Sequence, residues 1–190
     1  MRHSFMEAIS EELASQSIAT FRYQFPYMEQ GGGRPDPPAV LAATVRAAVQ
    51  AATEAAPELP LLAGGKSLGG RMTSTAASQS PLPGVHGIVF FGFPLHPTSQ
   101  PSTDRARHLQ SVTVPMLFLQ GTRDKLAELE LLRPVCSDLG KRAHLHIIEG
   151  ADHSFAVLKR SGRNDRDVLR ELGSTVAEWA TLLGKETTSA

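Results

Sequence analysis

Ser67 stands in Gly65-Lys66-Ser67-Leu68-Gly69, directly after the apolar run Leu61-Leu62-Ala63 and directly before a segment of helical pattern. Glycine two places on either side of a serine, at a strand-to-helix turn, lets the backbone reverse sharply without a Cβ clash. The hydroxyl is then presented above the end of a sheet, beside the first helical amides, whose partial positive charge suits a developing anion. That is the arrangement nucleophilic acyl transfer needs. A serine hydroxyl is a weak nucleophile at neutral pH, so a base must lie within hydrogen-bond reach and an acid must orient the base. Asp124 follows an apolar run over 115–120 and the glycine turn at Gly121, and His153 lies in the loop after another short apolar run over 144–148. The spacing leaves room for two strand-helix units between Ser67 and Asp124 and for one between Asp124 and His153.

Other residues compete for these roles. Gly65-Lys66-Ser67 is similar to the end of a phosphate-binding loop, but that pattern requires glycine at position 60, where Pro60 stands. Asp152 and Glu149 are alternative acids, and Asp124 could merely cap the helix that follows it. His144 and His146 are two apart on an expected strand and share a face, yet no carboxylate or cysteine cluster accompanies them, so no metal site is expected. Cys136 falls inside an expected helix and reads as a buried, inert thiol. Lys66 either modulates charge beside the serine or anchors its turn.

Elements that would position these residues follow from the pattern of apolar positions. Phe5, Met6, Ile9 and Leu13 recur at helical spacing, with Ser4 as the cap candidate. Residues 18–25 are short and rich in β-branched and aromatic types, as in a buried strand, and Pro26 ends them. A Gly- and Pro-rich loop over 30–38 leads to an alanine-rich helix over 39–56. Strands are expected over 59–65, 87–93, 115–120 and 144–148, a helix over 68–78, and a last helix over 165–183 with Val168, Leu172, Val176 and Trp179 on one stripe. Such alternation predicts a three-layer α/β sandwich around a mostly parallel sheet of about five strands, with chemistry beyond the strands' carboxyl ends. Residues 1–190 read as one domain, with a frayed tail over 184–190.

Composition narrows the function. Nineteen Lys and Arg balance nineteen Asp and Glu, so no global field attracts nucleic acid or anionic lipid. No apolar stretch is long enough for a bilayer span or a signal peptide, and a single cysteine excludes an internal disulfide framework. The expectation is a cytoplasmic protein without nucleic-acid or membrane partners. Short connections after 93 and 124 leave no room for a large lid, and predict an open pocket lined by Phe25, Tyr27, His96 and Phe155.

Taken together, Phe21-Arg22-Tyr23-Gln24-Phe25-Pro26-Tyr27, Gly64-Gly65-Lys66-Ser67-Leu68-Gly69-Gly70-Arg71, Gly92-Phe93-Pro94-Leu95-His96-Pro97, Gln120-Gly121-Thr122-Arg123-Asp124 and Asp152-His153-Ser154-Phe155 resemble small α/β-hydrolases near dienelactone hydrolase. Related to these are testis-expressed hydrolase-like proteins and the hydrolase-like subunit of a histone acetyltransferase complex. The resemblance implies an α/β-hydrolase sandwich, Ser67 as nucleophile, Asp124 as acid, His153 as base, no cofactor, and a small ester or thioester as substrate. It also implies further amino-terminal strands, one of which carries a His-Gly loop that donates a second oxyanion amide. Here the first helix is expected at about Ser4, which leaves the Leu68 amide as one donor and the amides of residues 1–3 as replacements. In that setting the strand over 18–25 is expected to pair directly with the strand over 59–65, or the chain's start is truncated. A catalytically weak, hydrolase-like binding protein is the alternative function.

Overall fold

A computed structural model describes residues 3–188. Strands β1 (Leu61–Lys66), β2 (Val85–Phe91), β3 (Met116–Gly121) and β4 (Ala143–Ile148) form one sheet in the order β1-β2-β3-β4, and every pairing is parallel. Each crossover carries helix: α4 (Leu68–Gln79) between β1 and β2, a 3₁₀ segment (Asp104–Ser111) between β2 and β3, and α5 (Leu129–Leu139) between β3 and β4. Before the sheet come α1 (Ser4–Ser15), the single turn α2 (Pro26–Glu29) and α3 (Pro38–Ala55); after it comes α6 (Asp165–Thr188).

Central strands of a parallel sheet are covered on both faces, so their sequences are apolar throughout rather than alternating. All six residues of β3 are buried, and in β2 only His86 is exposed. Successive side chains still point to opposite faces. Ile88, Phe90, Met116 and Phe118 join one core with Leu41 and Val45 of α3, Met72 and Ala76 of α4, and Leu132 of α5. Val89, Phe91, Leu117 and Leu119 join the other with Ile9 and Leu13 of α1, and Val168, Leu172 and Trp179 of α6. The result is a three-layer α/β sandwich: α3, α4 and α5 on one face, α1 and α6 on the other.

The structure departs from the sequence expectation at several points. Residues 18–25 join no strand ladder, so among the described residues the sheet has four strands and not about five. Among the described residues β1 bonds only to β2, and residues 18–25 do not pair with it. Their apolar content serves packing instead: Phe25 is buried in the α3–α4 core with its ring against Tyr23 and Tyr27, while Ile18 rests on the opposite core. β-branched and aromatic composition reports burial as much as strand pairing. Ser4 is the first helical residue rather than the cap; the cap position is His3, which makes no side-chain capping bond. Strand β2 lies two residues earlier than expected, because Gly92 takes a φ of +73° and turns the chain. Helix α6 continues through Gly184 to Thr188, where a loose tail was expected; residues 189–190 of that tail lie outside the described residues.

Phe118 is fully buried at the centre of the sheet and packs its ring against Phe90 and Phe93. Phe118→Ala is expected to lower the unfolding free energy by about 3–5 kcal/mol, by removing transfer energy and leaving a cavity. Urea denaturation followed by circular dichroism measures this, and an unchanged midpoint would contradict the packing described.

Candidate active site

Strand β1 ends at Lys66 and α4 begins at Leu68, so Ser67 alone makes the turn. Its backbone sits at φ 51°, ψ −116°, outside the regions a β-carbon permits comfortably. Neighbouring contacts hold it there. The Ser67 N–H donates to the Phe91 carbonyl of β2 at 3.1 Å, and the Arg71 N–H donates to the Ser67 carbonyl at 3.1 Å.

The close approach of β1 and α4 depends on Gly65 and Gly70. A Cβ on Gly70 would lie 2.7 Å from the Gly65 carbonyl oxygen and 2.9 Å from Phe90 Cδ1, whereas one on Gly69 would meet nothing within 4 Å. The second glycine of the recognisable pentapeptide is therefore not the sterically required one; Gly70, its neighbour, is.

The two loops beyond β3 and β4 meet over Ser67. His153 Nε2 lies 2.8 Å from Ser67 Oγ, and His153 Nδ1 lies 2.7 Å from Asp124 Oδ2. Since an ionised carboxylate only accepts, Nδ1 carries the ring proton and donates to Asp124, which leaves Nε2 free to accept from the serine hydroxyl. Asp124 is 3% exposed. Its Oδ2 also accepts from Gln120 Nε2 at 2.5 Å, and its Oδ1 accepts from the Leu126 N–H at 2.8 Å. Gln120 is fully buried at the end of β3 and accepts the Phe93 N–H on Oε1 at 3.1 Å.

The competing acids are occupied elsewhere. Asp152 Oδ1 accepts the N–H groups of Ser154 and Ala156 and so shapes the histidine loop, while Glu149 accepts from the Thr122 hydroxyl. The Arg123 N–H donates to the Ala151 carbonyl at 2.9 Å, which fastens the aspartate turn to the histidine turn. Phe155, two residues past His153, adopts a φ of +64°.

Leu68 N–H, the first amide of α4, has no hydrogen-bond partner among the described residues and stands beside the Ser67 turn. Met1 and Arg2, two of the three residues expected to supply replacement amides, lie outside the described residues. Lys66 Nζ donates to the His153 carbonyl at 2.6 Å. Burial pushes its amine down to about 8, against the opposing influence of the Asp124 and Asp152 carboxylates.

The residues expected to line a pocket are dispersed. Phe25 is core, and Phe155 is 4% exposed and stacks on Phe5. Tyr27 is half-buried at the start of α2, where its N–H donates to Asp36. His96 is fully buried, with Nε2 on Glu128 and Nδ1 on the Pro97 carbonyl. It lines a cavity of about 340 Å³ together with Leu95, Ser102 and Arg105, and Ser67 is not part of that lining. Among the described residues no group of three His, Cys, Asp or Glu is placed to hold a metal ion: His146 bonds Glu171, and His144 rests near the Trp179 ring. Burial pushes the Cys136 thiol up to about 12, which leaves it a poor nucleophile. No described helix is long and apolar enough to cross a membrane.

Gln120 escaped the sequence reading as a site residue. Its signal was present, since it is the one polar side chain in the run Met116-Leu117-Phe118-Leu119-Gln120 and stands one residue before the glycine turn.

Residues 1–181 match a family model described as an alpha/beta hydrolase domain. Among solved structures, the chain is similar to an alpha-beta serine hydrolase homologue from Coxiella burnetii, with a TM-score of 0.68 and 17% identity over 94% of this chain and 76% of that one. It is also similar to a Xanthomonas campestris protein described as an a/b serine hydrolase without lid (TM-score 0.69, 18% identity, 94% and 75% covered). A monoacylglycerol lipase from Paleococcus ferrophilus gives a TM-score of 0.70 at 14% identity, covering 95% and 90%. At these identities the structural likeness shows the fold alone.

Gly70→Ala is expected to destabilise the protein by about 1–3 kcal/mol through overpacking against β1. Gly69→Ala is expected to stabilise it by about 0.5–1 kcal/mol, because alanine loses less backbone entropy in a helix. Thermal melts of the two variants should therefore move in opposite directions, and equal shifts would show that the contact at Gly70 is not limiting.

Proposed function

The chain belongs to the alpha/beta hydrolase domain family, and on that premise we propose that it is a serine esterase acting on a small ester or thioester. The observation that carries this reading is the continuous chain of hydrogen bonds from Ser67 through His153 to Asp124. Within it Ser67 is the nucleophile, His153 the base and Asp124 the acid.

As Ser67 Oγ forms a bond to the substrate carbonyl carbon, its proton passes to His153 Nε2 and the carbonyl π pair moves onto oxygen. That oxyanion is met by the Leu68 N–H at the positive end of α4. Collapse re-forms the carbonyl and breaks the bond to the leaving oxygen or sulfur, which takes the proton from Nε2. Water then gives its proton to Nε2 and attacks the acyl-serine; the carboxylic acid departs as Ser67 regains its hydrogen. Asp124 stays ionised throughout, holding the imidazole in one tautomer and stabilising the imidazolium.

The substrate is small and its site open, in keeping with short connections after β2 and β3. Phe25, Phe155 and His96 are buried and offer that site no exposed wall. The residues shared with small dienelactone-hydrolase-like proteins support kinship with that branch, and a single reduced cysteine supports a cytoplasmic address.

One observation favours a second reading, a catalytically weak hydrolase-like binding protein. β1 has no neighbour on its outer side, so among the described residues no adjoining strand end offers a second amide to the oxyanion. Loss of one such donor costs about 10² to 10³ in rate. A fluorophosphonate probe separates the readings, because covalent labelling at Ser67 requires an activated hydroxyl.

Initial rates with p-nitrophenyl acetate test the esterase. Ser67→Ala is expected to abolish turnover, and Asp124→Asn to lower kcat by about 10⁴ by stranding the histidine in the wrong tautomer. Undiminished turnover by Ser67→Ala would overturn the proposal.

A further inference from the structure

Lys66 occupies the last position of β1, immediately before the serine, yet its side chain reaches the opposite wall of the site. Its Nζ is 2.6 Å from the backbone carbonyl oxygen of His153. Two aromatic faces enclose the rest of the charge: Nζ lies 4.5 Å from the ring centroid of Phe5 and 4.8 Å from that of Phe155. Those rings stack on each other at 5.4 Å, and Phe5 also meets Phe91 edge-on at 5.8 Å. Phe155 adopts its place beside the amine with a φ of +64°. No carboxylate forms an ion pair with Nζ among the described residues; the charged groups that face it are Asp124 and Asp152, at longer range.

We infer that Lys66 is a positioning residue for the base: its ammonium, held between Phe5 and Phe155, grips the His153 carbonyl and sets the imidazole over Ser67. The inference rests on the esterase reading. A surface lysine would spend its charge on water, whereas this one is desolvated against two rings and one carbonyl, and that carbonyl belongs to the residue whose ring must reach Ser67 Oγ. A cation over an aromatic face and a charge-assisted bond to a carbonyl both weaken when the amine loses its proton. A displacement of about 1 Å in a catalytic group is enough to cost about 10² in rate. The clamp therefore acts on kcat rather than on substrate binding, and it fails on the alkaline side of about pH 8, where burial has brought the amine's titration.

Steady-state hydrolysis of p-nitrophenyl acetate from pH 6 to 10 by wild type, Lys66→Met and Lys66→Arg tests this. At pH 7, Lys66→Met is expected to lose about 10- to 100-fold in kcat with KM within about twofold. Lys66→Arg is expected to recover most of that loss, and its alkaline limb to move beyond pH 10, because a guanidinium keeps its charge. Wild-type kcat in Lys66→Met, or the same alkaline limb in wild type and Lys66→Arg, overturns the inference. If Lys66→Met does not fold by circular dichroism, wild type and Lys66→Arg still decide it through the alkaline limb. If wild type turns over no ester, the esterase reading fails, and the clamp is read instead from the His153 imidazole ¹⁵N signals, assigned through His153→Asn. Displacement or broadening of those signals on taking wild type from pH 7 to 9, with the Lys66→Arg signals unmoved over the same range, supports it; a wild-type signal unchanged across that range overturns it.

Discussion

A carboxylate 3% exposed to solvent is tolerated only where its lone pairs are met, because an unpaired buried charge costs several kcal/mol. Asp124 meets this condition through three donors: the Gln120 amide, the Leu126 N–H and the His153 ring. Gln120 is itself fixed by the Phe93 N–H, so the end of β3 and the chain beyond β2 are joined through one buried amide. Much of the site's geometry descends from this network. It selects the ring nitrogen that carries the proton, and with it the nitrogen that faces Ser67.

The sheet turns that chemistry into a place. Parallel strands deliver their carboxyl ends to one side of the molecule, and β1, β3 and β4 each launch one of the three residues from there. Backbone crowding sharpens the arrangement: Gly70 lets α4 press on β1, and at Gly121 an added Cβ would lie 2.3 Å from the Ala151 carbonyl oxygen. The serine and histidine turns are thus seated by backbone contacts that tolerate no side chain. Precision in the site follows from steric closeness as much as from hydrogen bonds.

Much of this was legible in the residues. The uniformly apolar runs of β2 and β3, the turn around Ser67, and the placement of Asp124 and His153 after later strands follow from patterning and the demands of acyl transfer. Residues 18–25 misled because strand formation needs a partner ladder, and composition cannot show that β1, among the described residues, has only β2 beside it. Gln120 and Gly70 were less visible for a related reason. What makes them matter is a contact from another part of the chain: the Phe93 amide in one case, the Gly65 carbonyl in the other. Cys136 was readable because its place inside a helical apolar pattern leads to burial.

The ring of Phe5 ties the site to the order in which the molecule can assemble. The amine it covers comes from residue 66, and that amine bonds a carbonyl from residue 153, a sequence separation of 87. Contacts so distant along the chain incur loop-closure entropy before they return any energy, and they form late in folding. An intermediate with the sheet paired but α1 undocked would hold Ser67, Asp124 and His153 on the correct strands while lacking one wall of the enclosure around Lys66. Docking of the first helix thereby completes the enclosure around Lys66, and the fifth residue of the chain becomes one wall of the centre.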